Sequence, residues 1–174
     1  MGAHRQTDKG VEVDLDSRLL SGGNYHWTGT TTFFYRGGYR LDAREKAQPV
    51  PSPDLATATE LKSLRMPHGG RWQFCQLTGD FNAIHLASVY ARRLRFAAAF
   101  THPQRVAALC PRQIDAPENP VQSLDLWIKG PVYYDADVAL AALAIPQGNR
   151  FGLRLKTDPR FALAGEWRVG DCVR

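Results

Sequence analysis

One stretch of the chain reads Phe74-Cys75-Gln76-Leu77-Thr78-Gly79-Asp80-Phe81-Asn82-Ala83-Ile84-His85. It places a carboxylate, Asp80, and an imidazole, His85, five residues apart, beside a glycine that marks a turn. Such a pair can hold a water molecule, with each group accepting or giving a proton. A purely structural turn would use the same residues, with Asp80 accepting backbone N–H groups and His85 bonded to a backbone carbonyl. The spacing alone leaves both interpretations open.

The length and composition indicate a single folded domain, or one domain with an appended arm. The chain has 174 residues, of which 44% are hydrophobic and 22% are charged. No apolar run approaches the roughly 20 residues that a membrane-spanning helix needs. The first sixteen residues lack the apolar core of a secretory signal. We therefore expect a cytoplasmic protein with no membrane partner.

Cysteines and basic residues exclude two further classes of site. Cys75, Cys110 and Cys172 are scattered and form no CxxC pair, which argues against a disulfide framework and against a zinc site. We expect buried thiols instead. The net charge is +5, but the basic residues are dispersed along the sequence. A dispersed pattern does not predict a nucleic-acid surface.

The first half of the chain predicts little regular structure. Residues 1–24 show no sustained period and are expected to form a flexible arm that ends in a glycine turn. Residues 25–39 are rich in threonine and aromatic side chains and predict a strand. The remainder of 25–70 is punctuated by prolines and predicts a connection, with a short helix possible at 55–64. Residues 71–77 predict a short strand that leads into the Asp80 turn.

The second half predicts helices followed by strands. Residues 86–94 and 103–110 have helical spacing, with Thr101 as a candidate N-cap of the second helix and Pro103 in its first turn. Four later runs, separated by short turns, have strand composition; they are residues 121–134, 138–145, 150–156 and 161–169. Short turns predict antiparallel neighbours. The order favours an α+β protein with helices on one face of an antiparallel sheet.

Thr78-Gly79-Asp80-Phe81-Asn82-Ala83-Ile84-His85 resembles the hydratase signature of the MaoC-like hot-dog family, the (R)-specific enoyl-thioester hydratases and acyl dehydratases. A second element of that family, Ala-His-Gly at the start of the central helix, is matched in position by Thr101-His102-Pro103. Lys129-Gly130-Pro131 resembles a Lys-x-Pro run in a later strand. Together with the helices and strands, the resemblance covers residues 71–169.

The resemblance implies a hot-dog fold, in which an antiparallel sheet wraps around a central helix. Its core would be residues 71–174. Residues 25–70 would be a strand and a proline-rich connection, or what remains of a second hot-dog module found in longer relatives. A single hot-dog leaves sheet and helix surface exposed, so we also expect a homodimer.

For the chemistry, the resemblance implies that Asp80 and His85 hold the catalytic water of an enoyl-thioester hydratase or 3-hydroxyacyl-thioester dehydratase. Asn82, His102 and the N–H of Gln104 would serve the oxyanion or the substrate. The resemblance implies no metal or redox cofactor. The substrate would be carried as a thioester of coenzyme A or of a carrier protein. A thioesterase on the same fold and a non-catalytic acyl-binding or assembly subunit are the alternatives.

Two residues depart from the family pattern. Ala83 replaces a usual proline, which loosens the turn but removes no reacting group. Pro103 replaces the glycine whose backbone N–H usually forms the oxyanion hole, and proline has no such donor. The oxyanion donor of this chain is therefore open at the level of sequence.

Overall fold

A computed structural model of the chain describes residues 4–7, 10–37, 51–114 and 121–170. The chain divides into two compact units, Met1–Pro51 and Ser52–Arg174. The second unit thus begins at Ser52, whereas the sequence places the start of the hot-dog core at residue 71. No helix in the described residues is long and apolar enough to cross a membrane.

The first unit contains a three-stranded antiparallel sheet in the order β1-β2-β3. Its strands are β1 (His4–Thr7), β2 (Gly10–Ser21) and β3 (Asn24–Arg36). Gly22 and Gly23 join β2 to β3 with φ values of 57° and 81°. Two consecutive positive φ values characterise the tight two-residue hairpin turn that fits twisted strands.

The expectation of an irregular arm at residues 1–24 was wrong for β1 and β2. Val11, Val13 and Leu15 alternate with acidic residues, and this two-residue period is a strand signal that the many charges obscured. Arg5 then connects the strands through hydrogen bonds to Glu12 and Asp14. The strand predicted at residues 25–39 is confirmed as β3, although residues 38 and 39 lie outside the described part.

The second unit contains a five-stranded antiparallel sheet in the order β4-β6-β7-β8-β5. Its strands are β4 (Thr59–Arg65), β5 (Gln122–Ile128), β6 (Asp137–Ile145), β7 (Gly148–Leu155) and β8 (Phe161–Val169). The last three follow one another as a meander, as predicted. The strand predicted at residues 121–134 is the shorter β5 (Gln122–Ile128). It pairs with β8 at the edge of the sheet and not with β6, the next strand along the chain.

The described residues of this unit include three α-helices, which are α1 (Arg71–Thr78), α2 (Ser88–Arg93) and α3 (Pro103–Leu109). Short 3-10 helices lie at Ala83–His85 and Pro111–Gln113. The helices predicted at 86–94 and 103–110 are confirmed with slightly shorter bounds.

Two local predictions were wrong. Residues 71–77 are helix and not strand, because Gly79 adopts a left-handed φ of 73° and its N–H bonds the carbonyl of Cys75, which is a standard helix C-terminus. Residues 59–65 are strand and not helix, because they pair antiparallel with β6, with one register shift between Glu60 and Lys62. Such tertiary pairing outweighs a weak local preference.

The core lies between α3 and the sheet. Val106 and Ala107 of α3 belong to one buried cluster with the fully buried Leu140, Phe151 and Leu153 of β6 and β7. Burial of this apolar surface is the main favourable contribution to the stability of the unit. The burial of Val106 and Ala107 also holds α3 against the sheet. The N-terminus of α3 therefore has a fixed position, and it is this terminus that adjoins the site.

Cys110 and Cys75 are free and buried, as predicted. Burial raises the pKa of the Cys110 thiol to about 12, so this thiol stays protonated and behaves as an apolar side chain. Cys172 lies outside the described residues.

Gly165 tests how tightly the sheet packs. A Cβ atom at this position would lie 2.4 Å from Cζ of Phe151. We expect Gly165→Ala to lower the free energy of unfolding by roughly 1–3 kcal/mol, the usual cost of overpacking a core. Gly69→Ala, where no atom lies within 4 Å of the added carbon, is the matched control in urea unfolding. Equal midpoints for the two variants would contradict this packing.

Candidate active site

Asp80 lies in a turn that its own side chain and that of Asn82 stabilise. Oδ1 of Asp80 accepts the backbone N–H of Asn82 at 3.1 Å, and Oδ1 of Asn82 accepts the N–H of Ile84 at 3.2 Å. The second bond caps the 3-10 helix that carries His85. The described residues supply no hydrogen-bond partner to Oδ2 of Asp80, which leaves that oxygen free for a water molecule. Within the described residues, Asn82 forms its hydrogen bonds with the turn and the 3-10 helix that follows it.

His85 is buried, with 6% of its surface exposed. Its Nδ1 lies 3.0 Å from the carbonyl oxygen of Phe100, and its ring meets the Phe100 ring edge-on with centroids 4.9 Å apart. A carbonyl only accepts hydrogen bonds, so Nδ1 carries the proton and Nε2 carries the lone pair of the neutral ring. This bond thus presents a proton acceptor at the opposite edge of the ring.

His102 completes a cluster of three titratable side chains. It is fully buried, and its ring centroid lies 4.0 Å from that of His85. Its Nε2 lies 3.2 Å from the backbone oxygen of Asp80 and 3.6 Å from Sγ of Cys75. The bond to the Asp80 carbonyl places the proton on Nε2, and Nδ1 is buried without a hydrogen-bond partner in the described residues.

Asp80, His85 and His102 each offer one ligand atom, and these atoms lie within 4.8 Å of one another. Two imidazoles and a carboxylate are donors that a divalent transition metal accepts. The described residues therefore include one group that could hold a metal ion. The sequence-based expectation of a reaction without metal stays a prediction.

The surroundings of His85 keep it neutral. Burial lowers the pKa of His85 below its ordinary range, and the nearby His102 lowers it further. The bond to the Phe100 carbonyl and the charge of Asp80 raise the pKa but only partly offset the burial. A neutral imidazole with a free Nε2 can accept a proton at neutral pH.

The start of α3 differs from the prediction in one residue. His102 is the N-cap of α3 and Pro103 is its first helical residue, so Thr101 stands one position before the cap. The N–H of Thr101 bonds the carbonyl of Val132 at 2.9 Å. The N–H groups of Arg105 and Val106 bond the carbonyl of His102. The N–H of Gln104, in the first turn, has no intrahelical acceptor.

An apolar cavity of about 310 Å³ adjoins this segment. Phe100, Thr101, Pro103 and Val106 line it on the helix side, and residues 128–132 with Ala162 and Leu163 line it on the sheet side. Phe100 also holds His85 through its carbonyl oxygen. The residues that contact the imidazole and the residues that line the cavity are therefore partly the same.

The structure brings together Asp80, Asn82, His85 and His102 of the predicted site residues, and it places Gln104 in the first turn of the helix that His102 caps. Phe100, Thr101 and Cys75 were missed. Phe100 acts through its backbone carbonyl, which no sequence pattern reports. The helical spacing of Cys75 relative to Gly79 could have placed the thiol on the inner face of α1, had the helix been recognised.

The neutrality of His85 has a measurable effect on stability. Its pKa is lower in the folded state, so the unfolded chain takes up a proton first as the pH falls through about 6.5. The free energy of unfolding should therefore fall below that pH, until the folded-state pKa is also passed. His85→Gln keeps an N–H donor but has no titration, so the stability difference between the two proteins should depend on pH. Parallel curves of unfolding free energy against pH would contradict the shift.

Comparison with known proteins identifies similar folds. No family model matches the chain. The 3-hydroxyacyl-thioester dehydratase X of Mycobacterium tuberculosis is 26% identical over 112 residues, which make up 64% of this chain and 39% of that protein. The crystal structure of HtdX from Mycobacterium tuberculosis matches 95% of this chain and 65% of its own, with a TM-score of 0.76 and 22% identity.

Two further solved structures share the fold. The MaoC-like dehydratase from Phytophthora capsici matches 99% of this chain and 63% of its own, with a TM-score of 0.77 and 12% identity. The (R)-hydratase from A. caviae matches 71% of this chain and all of its own, with a TM-score of 0.50 and 19% identity.

The chain spans about two fifths of the curated relative and under two thirds of the HtdX structure. The predicted α+β hot-dog fold is confirmed, and the chain shares this fold with the MaoC-like dehydratase and the (R)-hydratase.

Proposed function

We propose that the chain is a hydro-lyase that adds water to trans-2-enoyl thioesters, or removes it from 3-hydroxyacyl thioesters. The observation that carries this proposal is the convergence of Asp80 and His85, with a neutral His85 whose Nε2 is available. The dehydratase and (R)-hydratase names of the similar proteins support the same reaction type.

In this mechanism the Asp80 carboxylate and His85 Nε2 each accept a hydrogen bond from one water molecule. In the hydration direction the water oxygen bonds C3 of the substrate, and the Asp80–His85 pair takes one of its protons. The pair of electrons of the double bond moves toward the thioester carbonyl, and C2 then receives a proton from the same pair of residues. The site gains and loses one proton in each turnover, so it returns to its starting state.

The negative charge that develops on the thioester oxygen needs hydrogen-bond donors in place before the reaction. Pro103 cannot donate, and the first backbone N–H of α3 belongs to Gln104. We assign this N–H to the oxyanion as one donor. The positions of His102 and Asn82 favour a different role for them, which is to hold the ring of His85 and the turn of Asp80.

The apolar cavity of about 310 Å³ is the proposed place of the acyl chain. Lys129, at its rim, donates to Oγ of Ser52 at 2.7 Å and is the charged residue of the cavity lining. Coenzyme A or a carrier protein would bring the thioester, and the proposed reaction needs no metal or redox cofactor. We also propose a homodimer in the cytoplasm, as in the expectation from the sequence.

Pro103 supports a second candidate function. A chain that lacks sufficient oxyanion stabilisation would bind an acyl thioester without converting it, as a non-catalytic acyl-binding or assembly subunit. A thioesterase would instead use the Asp80 water against the carbonyl carbon. Assays of the conjugated double bond and of thiol release, run on the same enoyl thioesters, separate the three functions.

With crotonyl and longer enoyl thioesters, we expect the absorbance of the conjugated double bond to disappear without release of free thiol. Thiol release without hydration would favour the thioesterase. Saturable binding without either reaction would favour the acyl-binding subunit. Absence of turnover with every chain length would contradict the hydro-lyase.

Asp80→Asn and His85→Gln should each lower kcat by about 10²–10⁴-fold, the usual contribution of a general acid or base. His68→Gln is a matched control, because His68 also lies beside a carboxylate, with Nδ1 2.9 Å from Oδ2 of Asp135, but outside the site. Hydration rates for Asp80→Asn and His85→Gln equal to that of the control would show that the catalytic residues lie elsewhere.

A change in the cavity wall should alter the choice of chain length. Ile128 lines the cavity and is 55% exposed, so a larger side chain fits there without disturbing the core. We expect Ile128→Trp to lower kcat/KM for long enoyl thioesters more than for crotonyl thioester. An equal effect on all chain lengths would place the acyl chain outside this cavity.

A further inference from the structure

The hydroxyl of Thr101 is an unpaired donor in the interior of the protein. Thr101 is 1% exposed, and its Oγ1 has no hydrogen-bond partner in the described residues. Buried polar side-chain atoms almost always have a partner, so an unpaired one calls for an explanation. A ligand that supplies the acceptor when it binds is one such explanation.

The position of Thr101 fits this explanation. Thr101 lines the apolar cavity that the proposed function assigns to the acyl chain. It lies between Phe100, whose carbonyl holds His85, and His102, whose ring stacks on His85. The hydroxyl is therefore on the short segment that contacts both the cavity and the acid/base residues.

The backbone holds this segment in place. The N–H of Thr101 bonds the carbonyl of Val132 at 2.9 Å, and Phe100 forms a bridge with Tyr133. A donor on such a fixed segment needs little rearrangement when a charge develops near it, which is the condition for effective oxyanion stabilisation.

The same segment lacks a donor two residues later. Pro103, the first residue of α3, has no N–H and is one of the residues that line the cavity. Most of the other residues that line the cavity are apolar. Thr101 and Lys129 are the lining residues that carry a side-chain donor, and the Lys129 ammonium already donates to Oγ of Ser52. A substrate carbonyl in the cavity would therefore have the Thr101 hydroxyl as its candidate side-chain donor.

We propose that Thr101 is a catalytic residue whose Oγ1–H donates a hydrogen bond to the thioester oxygen, in place of the backbone N–H that Pro103 cannot provide. The inference rests on the proposed function for its reaction. As water bonds C3, the electron pair of the double bond forms a C1=C2 bond and the π pair of the carbonyl moves onto the thioester oxygen. The hydroxyl stabilises that charge without giving up its proton. The carbonyl re-forms when C2 is protonated.

Thr101→Val tests this role, because valine has nearly the same shape and lacks only the hydroxyl. We expect kcat to fall by roughly 10²-fold or more, as for the loss of an oxyanion donor. Tm should stay equal or rise, because the hydroxyl that is removed had no partner in the unliganded fold. Thr101→Ser keeps the donor and should retain most of the activity. Thr59→Val, at an exposed position of β4, is the control for the substitution itself.

Three outcomes would overturn the assignment. The first is a kcat for Thr101→Val equal to that of Thr59→Val. The second is a Thr101→Ser variant as slow as Thr101→Val, because the retained hydroxyl would then not support the reaction. The third is a Thr101→Val variant whose Tm falls in proportion to its activity, which would show a structural role.

A readout without turnover separates failure of the inference from failure of the proposed function. The infrared stretching band of the carbonyl of a bound saturated acyl thioester should lie at lower frequency in the wild-type protein than in Thr101→Val. If the wild-type protein hydrates no enoyl thioester but shows this difference, the proposed function fails and the hydroxyl contact stands. If the two proteins give the same band, or bind no acyl thioester, the contact is refuted.

Discussion

The hydrogen bond from Nδ1 of His85 to the carbonyl of Phe100 connects the two parts of the sequence that form the site. It joins the 3-10 helix after the Asp80 turn to the segment that enters α3. It sets the tautomer of His85, whose ring contacts the rings of Phe100 and His102. Without it, either ring nitrogen of His85 could carry the proton, and Nε2 would no longer be fixed as the proton acceptor.

The opposing interpretations of Asp80 and His85 turn out to be compatible. Oδ1 of Asp80 accepts a backbone N–H and His85 bonds a backbone carbonyl, as a structural turn requires. Each group nevertheless keeps a second atom, Oδ2 and Nε2, that the structural bonds do not use. The hydrogen bonds that stabilise the turn thus also orient Oδ2 of Asp80 and Nε2 of His85, the two atoms that would bind the water molecule in the proposed reaction. His102 likewise makes two contacts, because its Nε2 donates to the Asp80 carbonyl and its ring packs on the ring of His85.

The sequence predicted the second half of the fold better than the first half, and the reasons are physical. The strands after residue 137 carry apolar runs between turns with glycine, asparagine and aspartate, so both their type and their order are encoded locally. The pairing of β5 with β8 instead of β6 is a long-range property that no local pattern reports. In β2, alternating acids and apolar residues encode a strand, but the many charges resemble a solvated arm. Asp80, His85 and His102 could be found from motif spacing, whereas Phe100 acts through its backbone and Thr101 through burial, which only the structure reveals.

Pro103 stabilises the start of α3 but removes a backbone N–H that could bind the thioester oxygen. At the first position of a helix, proline loses no intrahelical bond and its fixed φ favours the helical start. The helix whose Val106 and Ala107 complete the core therefore gains from it. The loss falls only on the reaction, where one N–H is missing beside the cavity. Because the helix start is rigid and the core fixes its position, a replacement donor has to come from a neighbour that is already in place. Gln104 offers a backbone N–H on one side of Pro103, and Thr101 offers a hydroxyl on the other, so the constraint that removes the usual donor also limits where its substitute can lie.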